Sequence, residues 1–215
     1  RVVLCDEVDR YPDSAGGEDD PISLAQKRSD TFFNLVHVIT STPTIRGASR
    51  VEAEFDLTDQ RRWFCPCPHC GEHQVLGWEQ VTWDKDEDGK HLPETAHLLC
   101  TKCQKKINDE ERVEMVKQGE WRPTAPFKGK RGYHLNGLCS LFPPRKGYKT
   151  RLHQAVAQFL DAKHRGIESL KAWTNTFLAD MWEEQGETVS ASPLLARCEP
   201  YAGKVPEDAV VLMCG

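Results

Sequence analysis

No apolar run in these 215 residues approaches the roughly 18 that a membrane-crossing helix needs, which predicts a protein that works without a membrane. No internal repeat of roughly 20 residues or more is present, excluding solenoid and propeller arrays, and there is no extended low-complexity tract. A Gly-x-x-x-x-Gly-Lys-Ser/Thr phosphate cradle is also missing, which excludes a self-contained P-loop nucleotide site. The chain opens without Met and without a basic-then-apolar leader. Arg1 leads straight into an apolar run, and this predicts a segment of a longer protein.

What is present suits a folded, soluble chain: 39% hydrophobic and 28% charged residues, long enough for one large or two small domains with a substantial core. The net charge of −5 argues against a uniformly basic nucleic-acid binder, but the average hides an asymmetry. Lys117 to Arg151 carries nine Lys/Arg and one acid, a local net of +8 that leaves −13 for the remainder. Trp121, Phe127, Tyr133, Phe142 and Tyr148 are spread through that stretch. Positive charge interleaved with aromatics attracts a phosphate backbone, although a charge run is equally a solvated face. Lys128, Lys130, Arg131, Arg145 and Lys146 are the candidate DNA contacts.

Residues 1–60 read as strand, loop, helix, strand. Val2 to Cys5 is a continuous apolar run of the kind found in parallel strands covered on both faces. Asp20 and Pro21 give a helix-start signal for "DPISLAQKRSDTFF", and "NLVHVIT" is a second strand. Strand–helix–strand in so short a span is a βαβ unit and implies an α/β sheet. Residues 61–107 hold strand-like segments and a turn at "EDGK". Asn108 followed by Glu111 is a capping box for a helix ending near Gly119. Two helices follow in 151–184, with apolar stripes Leu152/Val156/Phe159/Leu160 and Leu170/Trp173/Phe177/Met181. Residues 186–207 read as a linker, and "AVVLMCG" as the first strand of a further domain. The expected divisions are therefore 1–60, 61–107, 108–200 and 201–215.

Two clusters carry chemistry. In an open α/β sheet, ligands lie beyond the carboxyl ends of the strands, and "VVLC" runs directly into Asp6 and Glu7. Asp6 is placed to hold Mg²⁺ through a water ligand, since that ion favours hard oxygens and keeps its hydration. Glu7 is placed to act as the general base that orients water for displacement at the γ-phosphate of a nucleotide. The second strand ends in Thr40, Ser41 and Thr42, hydroxyls able to sense a γ-phosphate, or simply to cap a turn. The missing phosphate cradle is expected upstream of Arg1.

Of nine cysteines, four form Cys67-x₂-Cys70 and Cys100-x₂-Cys103 across a 29-residue spacer. Each pair turns two thiolates toward one ion, so the pattern predicts a tetrahedral, structural Zn²⁺ site in a zinc ribbon, in a reducing compartment. Cys65 is an alternative to Cys67 only at a tighter spacing, and His69 is a poor substitute ligand. Cys5, Cys139, Cys198 and Cys214 lack partners at metal spacing. "DKDEDG" copies the first half of a calcium loop, but position twelve is Thr95, so it reads as an acidic hairpin.

Taken together, "VVLCDEVDRYP", "DPISLAQKRSDTF", "ITSTPTIRGASRVEAEF", "DQRRWFCPCPHCGE", "LLCTKC", "GEWRPTAP", "RGYHLNGLCS" and "FLADMWEEQGE" resemble the large terminase subunit of tailed bacteriophages of the lambda type. The resemblance covers nearly the whole chain. It implies a host-cytoplasmic, virus- or prophage-encoded enzyme that packages double-stranded DNA into a procapsid using ATP and cuts the concatemer. Its implied partners are a small terminase subunit, the portal and further copies of itself in a homo-oligomeric motor. It also implies the fold: the C-terminal half of a P-loop-type (ASCE) ATPase sheet, then a small zinc ribbon, a basic and helical linker region, and the start of an RNase H-like nuclease. Asp6 and Glu7 would be the Walker B carboxylates, and Ser41, Thr42 and their neighbours the coupling motif. The nuclease acids would follow Gly215, so this segment is expected to be inactive alone. Two other readings stay open: a DExx-type helicase with a zinc insertion, and a non-enzymatic zinc-ribbon module that binds DNA.

Overall fold

The computed structural model describes residues 1–183. The expected linker at 186–207, the strand in "AVVLMCG", Cys198 and Cys214 lie outside the described residues. Strand β1 (Val2–Asp6) pairs in parallel with β2 (Val36–Thr40), in a register that sets Asp6 opposite Thr40. The crossover contains helix α1 (Pro21–Ser29), so the βαβ expectation holds. Its start is the one the sequence encodes: an Asp20 carboxylate oxygen accepts from the Ser23 N–H at 2.9 Å, with Pro21 at the first helical position. Ile22 packs with Cys5 and Val8 on one face of the strand pair. On the other face Val2, Leu4, Val36 and Val38 are exposed, Leu4 at 72%. The expectation of cover on both faces is therefore corrected: among the described residues only the Cys5 face is packed. A short helix that the periodicity did not reveal, α2 (Arg50–Asp56), buries no residue and is capped by Ser49.

Strands β3 (Arg61–Pro66), β4 (His73–Val75), β8 (Glu120–Arg122) and β9 (Tyr133–His134) form a sheet in which β3 is flanked by β4 and β8, with β9 parallel to it. A second sheet holds β5 (Val81–Lys85), β6 (His91–Leu99) and β7 (Lys106–Ile107). The β5–β6 turn is the expected acidic hairpin. Asp86 Oδ1 accepts from the N–H groups of Asp88 and Lys90, and Gly89 takes φ +80°, the left-handed region a glycine fills without steric cost.

Helix α3 (Asp109–Lys117) opens with the predicted capping box, Asn108 and Glu111 each accepting from the other's N–H at 2.9 Å. It stops near Gly119, as expected, where only a glycine fits, because a Cβ there would lie 2.4 Å from the Trp63 indole nitrogen. Helix α4 (Arg151–Arg165) packs on β6 and on α5 (Ile167–Trp173), which continues as one wider π turn over Thr174–Leu178. Met181 lies beyond that turn, so the second stripe is shorter than predicted. Leu152 and Val156 of α4 join Leu76, Leu98, Ile107 and Met115 in the main core. Each such side chain contributes about 1.5–3 kcal/mol by leaving water. A second cluster is aromatic: Trp173 lies 4.6 Å from Trp78 and 5.1 Å from both Phe159 and Phe177, centroid to centroid.

Candidate functional site

Strand pairing brings the predicted carboxylate and hydroxyls together at the carboxyl edge of β1 and β2. Thr40 Oγ1 donates to Asp6 Oδ1 at 2.5 Å, and the Glu7 N–H donates to the same oxygen at 3.0 Å. Asp6 Oδ2 keeps no protein partner among the described residues and, on an exposed side chain, is open to a metal-bound water. Glu7 is also exposed and stands at φ 55°, ψ 43°. A non-glycine residue in that left-handed region costs of order 1 kcal/mol. The turn ends the strand at Asp6 and starts a 3₁₀ turn at Val8.

Sequence reasoning missed Asp9. Its N–H donates to Ser41 Oγ at 3.2 Å. Its carboxylate accepts from Thr44 Oγ1 at 3.0 Å and from the Val51 N–H in the first turn of α2 at 2.8 Å. One side chain thus binds the turn after Glu7, the Ser/Thr segment and the start of a helix. Beyond it, the Thr44 carbonyl accepts from the Trp182 N–H at 2.9 Å and from the Asn175 side-chain amide at 3.2 Å, and the Arg46 N–H donates to the Trp182 carbonyl. The Thr42 hydroxyl makes no hydrogen bond among the described residues. A third acid two residues after Glu7, in "DEVD", was the available sequence signal.

The cysteine pairs also meet. The sulfurs of Cys67, Cys70, Cys100 and Cys103 all lie within 4.8 Å of one another, with Cys67–Cys103 at 3.9 Å and Cys70–Cys100 at 3.7 Å. A tetrahedron with metal–sulfur bonds of about 2.3 Å has edges of about 3.8 Å, so the four thiols fit one zinc-sized ion. Each pair sits in the same backbone knuckle. Gly71 N–H donates to the Cys67 carbonyl and Gln104 N–H to the Cys100 carbonyl, with Gly71 and Gln104 both at positive φ. N–H groups of His69 and Cys103 point at the Cys67 and Cys100 sulfurs, each at 3.5 Å. Burial opposes charge on Cys100, yet the N–H groups of Cys103 and Lys102 outweigh it and bring that thiol to about 6. Burial pushes Cys67 up to about 12, against the N–H groups of His69 and Cys70. Sulfurs this close cannot all be thiolates unless a cation stands among them. Gln74 Oε1, on β4 just after the first knuckle, accepts from the Thr101 N–H and hydroxyl in the second.

Cys65 is not part of this cluster. It is fully buried against Cys139, whose hydrogen bond, with burial, holds its thiol well above the ordinary range. His69 Nε2 lies 2.8 Å from the Lys106 carbonyl. Both are thereby occupied elsewhere.

The basic stretch is unevenly compensated. Lys117, Arg122 and Lys130 pair with Glu114, Glu120 and Glu54. Arg131 lies over the Phe127 ring at 5.8 Å and Lys128 is exposed. Among the described residues Arg145, Lys146, Lys149 and Arg151 have no salt bridge, nor do Lys128 and Arg131, so the uncompensated positive charge falls in two groups, at 128–131 and just before and at the start of α4.

The model of the family described as phage terminase large subunit gpA, ATPase domain, matches residues 1–121, and that of the terminase large subunit gpA endonuclease domain matches 130–215. The chain is 29% identical over 232 residues to the terminase large subunit of Enterobacteria phage P21, and 26% identical over 227 residues to that of Escherichia phage lambda. Both alignments take in all of this chain and 35% of the relative, so the chain spans about a third of the length of these curated relatives. No solved structure matches. No helix among the described residues is long and apolar enough to cross a membrane. With the Asp6–Thr40 edge inside the part matched by the ATPase model, the chain belongs to the phage terminase large subunit gpA family.

Proposed function

We propose that the intact protein to which this chain belongs is an ATP-driven motor that packages viral double-stranded DNA into a procapsid and cuts the concatemer, acting in the host cytoplasm. The observation that carries this is the paired edge at which Asp6, Glu7 and Thr40 converge at the ends of two parallel strands. The reading takes β1 and β2 as part of a P-loop-type (ASCE) sheet whose phosphate cradle is supplied by sequence outside these residues. Asp6, with one oxygen held by Thr40 and the Glu7 N–H, would hold Mg²⁺ with the other, through a water. When bound, that ion neutralises charge on the nucleotide's phosphates. Glu7, exposed and unpaired beside it, takes the proton of the attacking water. Loss of the γ-phosphate is felt at Thr40 and Ser41. From there Asp9 and Thr44 pass the change to α2 and to Trp182, within the part matched by the endonuclease model.

The four cysteines hold a structural Zn²⁺, because a closed four-sulfur shell leaves no position for a reacting water. Residues 61–107 form the ribbon around it, 108–200 a basic and helical linker, and 201–215 the opening of the nuclease. A small terminase subunit, the portal and further copies of the chain are the expected partners. Neither a helicase nor a non-enzymatic zinc module gains support from the family match.

The test is ATP hydrolysis by the intact protein carrying Asp6→Asn. Turnover should fall at least about a hundredfold, the scale of removing one charge-stabilising group. Unchanged turnover at saturating Mg²⁺ would remove Asp6 from its role.

A further inference from the structure

The basic stretch, counted as a whole, is a poor guide to where anions bind, because carboxylates cancel much of it. Of what is left over, the group at 145–151 lies beside a cavity. A cleft of about 600 Å³ opens between the 145–151 segment and helices α4 and α5, lined among others by Arg145, Tyr148, Arg151, Arg165 and Trp173. Its volume is that of a small-ligand site. Three guanidinium groups reach it against one lining carboxylate, Asp161, which pairs with Arg165 at 2.8 Å. Lys146 and Lys149 flank it, exposed and without salt bridges.

Hydrogen-bond donors exceed acceptors around this cleft. The buried Nε of Arg151 and the indole N–H of Trp173, itself 8% exposed, have no partner. Gln154 Oε1 is already taken by the Arg145 N–H at 2.9 Å and by Arg151 Nη1 at 3.4 Å. Arg112, fully buried behind Arg151, adds a further cation, and Asp109 is shared between the Arg112 side chain and the Arg151 N–H. Burial, with Arg112 and Arg145 close by, lowers the Arg151 pKa, against the nearby Asp109. Helix α4 compounds the crowding. It begins at Arg151 with no acid in its first turn, whereas α3 begins with Asp109, Glu110 and Glu111. A helix N-terminus carries positive partial charge and ordinarily gathers acids. Asp109 is the carboxylate at that terminus and is shared with the Arg112 guanidinium, so positive charge stays in excess there.

We propose that this cleft binds a phosphodiester of a nucleic-acid strand, with Arg145 and Arg165 as the exposed contacts and Arg151 as the fixed charge behind them. Trp173 is enclosed by Trp78, Phe159 and Phe177, and Tyr148 meets His153 at 5.2 Å, so contact with the strand rests on the arginines. The cleft therefore reads backbone charge and not sequence. This rests on the DNA part of the proposed function and gives it a location; it does not depend on the roles of Asp6 and Glu7.

The experiment measures binding of a fluorescent DNA duplex to the intact protein across a range of salt concentrations. Arg145→Gln combined with Arg165→Gln should weaken binding at least about tenfold near 0.1 M salt and lower the log–log salt slope by about two, one per lost phosphate contact. Asp161→Asn, which removes the cleft's own carboxylate, should tighten binding about twofold, a change that misfolding cannot imitate. Binding indifferent to both variants would overturn the cleft alone. Displacement of the duplex from it by equimolar free ATP would overturn the strand assignment in favour of a nucleotide. Failure of the unsubstituted protein to bind duplex DNA would sink the DNA reading itself.

Discussion

The four-cysteine cluster and the Asp6–Thr40 edge are built on opposite plans. Each cysteine knuckle is closed on itself: its turn bonds are local, its sulfurs receive N–H groups two or three residues away, and Gln74, just after the first, accepts from Thr101 in the second. The edge is open. Asp6 and Glu7 are exposed, Glu7 sits in a backbone conformation that costs energy, and the segment's order depends on contacts 32 to 42 residues away through Asp9. A site that only has to stay folded can satisfy most of its groups internally, although the buried Gln74 Nε2 has no partner among the described residues. A site that must engage a ligand keeps groups unsatisfied and tolerates strain to do so.

The largest effect should come from breaking the closed site. On the proposed zinc site, Cys67→Ser or Cys100→Ser should remove about one zinc per chain by metal analysis and lower stability by at least several kcal/mol, since metal binding would contribute folding free energy. Chelation should do the same to the unsubstituted protein. A metal-free protein with an unchanged melting curve would mean that the cysteines merely pack. On the open side, Asp9→Ala deletes two carboxylate hydrogen bonds, one to a helix N-terminus, and should cost about 2 kcal/mol in denaturant unfolding. A loss below about 0.5 kcal/mol would show that Ser41 and α2 are held without it. The smallest effect has the opposite sign. Glu7→Gly relieves the positive φ and should raise stability by about 0.5–1 kcal/mol. A destabilised Glu7→Gly protein would mean that the carboxylate itself supports the turn.

The difference between the two regions also governs what could be read without coordinates. Cys67, Cys70, Cys100 and Cys103 were legible because a knuckle is a local object, fixed by a two-residue gap. So were the caps at Asp20 and Asn108, whose partners lie three residues on. That Asp6 and Thr40 end two strands of one parallel sheet followed from the βαβ pattern; their direct pairing came from the register. The Asp9 junction was not legible, since nothing in its own neighbourhood names Thr44 or Val51. Helix α2 was missed because it buries no residue and so carries no core-facing stripe. Cys65 and Cys139, 74 residues apart in sequence, became a pair only once the core closed. Lys130 was expected among the free cations, but Glu54, far upstream, pairs with it at 2.9 Å. Net charge along a chain does not reveal which charges the fold cancels.

The most direct measurement is a single-turnover assay on the intact protein carrying Glu7→Gln, with radiolabelled ATP and Mg²⁺. ATP should be retained on the protein and recovered intact, because the metal side of the edge survives while the base is gone. Release of ADP and phosphate at the unsubstituted rate would contradict the account at its centre.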